Sequence, residues 1–268
     1  MLWPLLAALV LTGIHVYLGL HVVTRGVIFV DLALAQVAAL GMAIGVLLGW
    51  EVDSIQMYFL ALGFTFLGAI LFAYTRSLTR SVSQEAIIGI VYAVSAALMI
   101  ILFSKSAEGA DHLNHLLVGS ILFVTPGIVF QTLLLYSAIG IFHWVYRRQF
   151  MLSSEISGAS DHQKVNLKVW DFLFYMTFGF VVTSSVKIAG VFLVFSFLII
   201  PATAALIFVR GVRNRLFFGW AFGFVGSLLG MVFSVMLDIP TGASIVATFG
   251  VLLIITGVVK GLWVYGNK

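Results

Sequence analysis

Cysteine is absent from this chain, and 14 basic and 10 acidic side chains carry all of its formal charge apart from histidine. The first absence excludes disulfides and any thiolate metal site. The second excludes an ordinary soluble domain, which is about a quarter charged, whereas this chain is 9% charged and 62% hydrophobic. Catalytic signatures are missing too. The sequence contains no G-x-x-x-x-G-K-[ST] loop, no dinucleotide fingerprint, no H-E-x-x-H and no serine-centred G-x-S-x-G elbow. Any energy-consuming step that passes through the chain therefore needs a partner for its nucleotide chemistry.

What is present is apolar length. A span needs about 20 apolar residues, and nine candidates run over residues 2–23, 27–50, 57–74, 86–103, 125–146, 170–185, 188–209, 216–237 and 244–262. Residues 1–23 have no basic n-region and carry His15 within the apolar run, so they read as the first span and not as a secretory signal. Twenty-six glycines suit close helix packing in a bilayer. The expected fold is an all-α polytopic membrane protein of eight to nine transmembrane helices, one domain over residues 1–268. The count turns on the short segment before Lys187.

The charges fall between the spans and orient them. Alternating sides places Arg25, Arg76, Arg80, Arg147, Arg148, Lys164, Lys168, Arg210, Arg213, Arg215, Lys260 and Lys268 on one face, and Lys105 and Lys187 on the other. Short basic loops stay cytoplasmic, so the C-terminus is expected inside, in an inner or plasma membrane. The net charge of +4 reflects that bias and is no nucleic-acid signal.

Polar residues at membrane depth are costly and are usually functional. At 1.5 Å per helical residue, Gln36 lies about 16 Å beyond Arg25, His15 about 15 Å before it, and Asp31 about 9 Å beyond it. His15 and Gln36 read either as an interhelical hydrogen-bonding pair or, with Asp31, as part of a permeation path. Outside, Asp111, His112 and His115 read either as a cation-collecting cluster or as a solvated loop; the two histidines are three apart and share a helix face. Within the inner stretch 147–171, the mixed-charge segment from Glu155 to Asp171 is either a plain connection or a short helix along the cytoplasmic face. Pro201 sits within a span beside small residues, where it makes either a static kink or a hinge.

Four segments, in order, resemble the permeases of the zinc/manganese(/iron)-type metal-ion ABC transporter family. Residues 186–205, Val-Lys-Ile-Ala-Gly through Ile-Pro-Ala-Thr-Ala-Ala, resemble its K-x-x-G…L-I-x-P-A-x-x-A signature. Residues 34–41 resemble L-x-H-A-x-x-x-G, residues 116–122 resemble L-x-G-x-I-L, and residues 240–246 resemble P-x-G-P-x-I-V. The resemblance implies a transport subunit, not an enzyme, in which two copies form a central path for Zn²⁺, Mn²⁺ or Fe²⁺. It further implies cytoplasmic ATPases that carry the ATP, an extracytoplasmic binding protein that delivers the ion, and no permanently bound cofactor. The coupling segment would lie within 147–171, at Glu155, Gly158 and Asp161. One departure stands out. The family places an Asp and a His four apart in the second span; here Gln36 holds the histidine position and Asp31 lies five residues earlier. Five residues turn two side chains about 140° apart on a helix. Either the ion passes without tight ligation, or His15 substitutes, or the substrate differs.

Three other readings compete. A permease for an iron chelate or cobalamin shares most of the implied architecture. A stand-alone secondary transporter calls for midplane charges and internal repeats, and the sequence offers only Asp31 and no visible repeat. An intramembrane enzyme needs a convergent catalytic set, which is not visible.

Overall fold

The computed structural model describes residues 2–51, 54–76, 82–104, 121–155 and 167–266. Described residues form α-helices with one short 3₁₀ turn, Ile121–Phe123, and no strand. In chain order the helices are α1 Leu2–Arg25, α2 Val30–Leu47, α3 Ile55–Thr75, α4 Gln84–Phe103, α5 Pro126–Val145, α6 Arg147–Glu155, α7 Leu167–Phe208, α8 Val212–Leu237 and α9 Thr241–Gly266. Eight of them, all but α6, are long and apolar enough to cross a membrane.

Helix starts follow local chemistry. Ser54 and Ser83 cap α3 and α4, each side-chain oxygen accepting from a backbone N–H three residues on, at 3.2 Å. The N-cap of α2, Phe29, has no such side chain. Its N–H donates instead to Glu85, 3.1 Å away in the first turn of α4. A carboxylate there also suits the positive end of the α2 dipole.

The sixth and seventh expected spans are one 42-residue element, α7, interrupted at a single residue: Gly190 has φ 75°, ψ 162°. Residues 167–189 and 191–208 are about 34 and 27 Å long, each close to a hydrocarbon thickness. The break therefore needs no polar loop, which is why hydropathy around Lys187 is hard to partition. Only glycine visits that backbone region cheaply. Gly190→Ala is expected to cost about 1–3 kcal/mol, read as a lower melting temperature of the detergent-solubilised protein.

The chain divides into two compact units. The first holds α1 to Val23, α5 to Tyr136 and the chain from Ile188. In it α8 packs along α9, where Gly226 makes room for Phe249 and the Ser244 hydroxyl donates to the Gly230 carbonyl at 2.7 Å. Lys260 on α9 donates to the Ile207 carbonyl at the C-terminal end of α7, where a cation complements the helix dipole. The contact puts the ends of α7 and α9 on one face of this unit, as the charge alternation requires.

The second unit holds the chain from Thr24 to the end of α4, then Ser137 to Lys187. Here α2 packs against both α3 and α4. Ala39 and Ala43 lie against Met99 and Phe103, so small side chains let α2 sit close to its neighbours. Phe174, Tyr175 and Phe178 of α7 are fully buried.

Candidate functional site: a polar second helix above a buried ion-pair network

Helix α2 carries the two polar residues that its sequence singled out. Asp31 and Gln36 are 1% and 3% exposed, and both carboxylate oxygens of Asp31 and the amide oxygen of Gln36 lack a hydrogen-bond partner. Buried polar groups are normally paired, and an unpaired one calls for an explanation. The unpaired oxygens of a carboxylate and an amide are electron-pair donors suited to a hard cation. Among the described residues no group of three or more His, Asp or Glu forms a ready-made metal cluster.

His15 belongs to the first unit, and Asp31 and Gln36 to the second. The His15 Nδ1–H donates to the Leu11 carbonyl at 2.8 Å, one turn back in its own helix, and its ring meets Tyr136 edge-on at 6.1 Å. Pro201 sits inside α7, 3.5 Å from where a side chain on Gly223 of α8 would begin. The departure from helical geometry falls not there but at Gly190. Asp111, His112 and His115, together with Gly158 and Asp161, lie outside the described residues; Glu155 is the last residue of α6. A small cleft between α2, α3 and α7 is lined by Ala35, Ala38 and Met42. Its described polar lining is Tyr58, Thr183 and Lys187, without Asp31 or Gln36.

A second feature escaped the sequence reading. In the sequence Arg25, Arg76 and Asp171 fall at breaks between apolar runs; in the structure they form a buried network. The Arg25 guanidinium donates to Asp171 Oδ1 at 3.1 Å, to Ser153 Oγ at 2.6 Å and to Ser154 Oγ at 3.1 Å. Its carbon lies 4.0 Å over the Phe174 ring. Arg76 pairs with the same Asp171 oxygen and donates to the Ser153 carbonyl at 3.0 Å. Gln84, at the start of α4, donates to the Phe72 carbonyl at 3.0 Å and the Tyr175 hydroxyl at 3.1 Å. The ends of α1 and α3, the starts of α4 and α7, and α6 thus meet on one face of the unit. That is the grouping the charge alternation gave. A helical signal for the network existed: Asp171, Phe174 and Tyr175 stand at i, i+3 and i+4, one face of α7.

Comparisons with known proteins agree with this architecture. The model of the ABC 3 transport family matches residues 1–260. The manganese transport system membrane protein MntC of Listeria monocytogenes is 23% identical over 89% of this chain and 82% of its own. The high-affinity zinc uptake system membrane protein ZnuB of Haemophilus influenzae is 26% identical over 94% of each chain. Among solved structures, PsaBC from Streptococcus pneumoniae in complex with Fab superposes with a TM-score of 0.78 at 24% identity, over 95% of this chain and 90% of that one. The family match, joined to eight helices long and apolar enough to cross a membrane, defines the class as a transport permease. The chain belongs to the ABC 3 transport family, as a multi-pass membrane component of an ABC transport system.

Proposed function

We propose that this chain is the membrane-spanning subunit of an ATP-driven importer for divalent metal ions, working as a homodimer with cytoplasmic ATPase subunits and an extracytoplasmic metal-binding protein. The observation that carries the reading is the family match along nearly the whole chain, joined to unpaired oxygens on the second helix. Relatives named for manganese and zinc transport support the substrate class. In this reading the basic face is cytoplasmic, the C-terminus lies inside, and residues 147–171 meet the ATPase. Arriving ions are collected by the loop carrying Asp111, His112 and His115. Asp31 and Gln36 then handle the ion along the path, His15 is a further polar residue on it, and Pro201 is a hinge in α7.

The oxygens of Asp31 and Gln36 suit Mn²⁺ or Fe²⁺ better than Zn²⁺, which favours imidazole and thiolate. Manganese or iron is therefore the proposed cargo. In liposomes holding the permease with its ATPase and binding protein, ATP is expected to drive Mn²⁺ inward. Transport by the permease alone, without ATPase, would defeat the reading. Gln36→His, which restores an imidazole at the family position, is expected to shift the Zn²⁺ to Mn²⁺ uptake ratio upward by about tenfold, a difference of about 1.4 kcal/mol in relative affinity. An unchanged ratio removes Gln36 from the path.

A further inference from the structure

We propose that Asp171 is a positioning residue that fastens both stems of the ATPase-facing segment to the ends of α1 and α3, and through Arg25 to α2. The proposal rests on the importer reading above. Residues 156–166 lie outside the described residues, but the residues that flank them do not. Ser153 and Ser154 precede them on α6, and Asp171 follows them on α7. Arg25 holds all three side chains at once, through its three guanidinium nitrogens. The Ser153 hydroxyl closes the ring by donating to Asp171 Oδ1 at 3.1 Å. Arg76 adds a second cation to the same carboxylate and grips the Ser153 backbone.

Stability alone is a weak reason for such an arrangement. The Arg25 and Asp171 side chains are 1% and 3% exposed, and Arg76 is 18% exposed. Two guanidiniums share one carboxylate there, and a buried ion pair is often no better than apolar packing of the same volume. What the network adds is direction. A planar fork fixes relative orientation in a way that a ball of apolar side chains does not. Arg25 is also the last residue of α1, and α2 begins at Val30 after a short turn through Gly26, whose φ is 67°. Glu85 holds the far end of that turn at the Phe29 N–H. A displacement of the inner segment is thereby delivered to the base of the helix that carries Asp31 and Gln36. Every residue named on this route lies in the second unit.

The test measures two quantities on full-length permease co-reconstituted with its ATPase and binding protein: ATP hydrolysed, and Mn²⁺ taken up per ATP. For Asp171→Asn, hydrolysis is expected to continue while uptake per ATP falls about tenfold. Asp171→Glu is expected to recover part of the ratio. Arg25→Lys, which keeps the charge and loses the fork, is expected to lower it. A wild-type ratio in Asp171→Asn overturns the proposal. If that variant fails to insert or to bind the ATPase, Ser153→Ala decides: a lowered ratio supports the clamp, and an unchanged one reduces the network to a fold element and overturns it. Failure of the importer reading looks different, because wild-type complex would then move no Mn²⁺ with ATP.

Discussion

Replacing Asp31 with leucine is expected to abolish metal uptake while raising the melting temperature of the detergent-solubilised protein. Neither carboxylate oxygen has a hydrogen-bond partner, and the residue is 1% exposed. A buried acceptor left unsatisfied costs about 1–3 kcal/mol, and more when it is charged. An apolar side chain of similar size removes that cost, so the stability gain is expected to be of the same order. Strain of this kind is retained where function requires it. Uptake is expected to fall by two orders of magnitude or more, and Asp31→Asn, which keeps one oxygen, is expected to fall between. The pair of measurements separates two roles. Lower stability with intact uptake would make Asp31 a structural residue whose partner lies elsewhere, and would take it out of the path.

Gly19→Leu is expected to abolish accumulation of folded protein in the membrane. Helix α1 crosses α7 at Gly19, and a Cβ placed there would overlap the Leu198 carbonyl oxygen and stand 3.0 Å from the Ala202 side chain. The obstacle is backbone, so it cannot rotate away as a side chain would. Leu20 of α1 and Ala202 and Ala205 of α7 are packed beside the crossing, which leaves no slack to absorb a shift. Even Gly19→Ala is expected to lose about 1–3 kcal/mol, the usual cost of forcing a methyl group into a filled interior. Gly13 provides the control. A Cβ on it meets nothing within 4 Å, so Gly13→Ala is expected to be neutral or mildly stabilising, since alanine is the better helix former. Equal melting temperatures for the two alanine variants would mean that α1 and α7 do not cross at Gly19.

Much of the fold was legible because a bilayer admits few solutions. Backbone polar groups must be satisfied within each span, so every long apolar run becomes a helix, and each of the nine sequence candidates falls on one. Their merging in α7 was not legible. Whether a chain turns through a polar loop or breaks at one glycine depends on φ and ψ at Gly190, and composition around Lys187 carries no record of that. Asp31 and Gln36 were legible as intrusions of polarity into an apolar run. Their lack of partners was not, because it depends on every side chain packed around them.

The sequence by itself determined that this protein lives in a membrane, which face each loop is expected to occupy, and which family it resembles. Each of these follows from local properties: apolar run length, charge placement and short ordered motifs. Tertiary structure decided which of the scarce charges are solvent-facing and which are not. Arg25, Arg76 and Asp171 are distant in sequence and look alike in composition to the other loop charges. Only the meeting of α1, α3, α6 and α7 puts two guanidiniums on one buried carboxylate. The physical reason is that the energy of a charge is set by its surroundings, and those surroundings come from helices the local sequence does not contain.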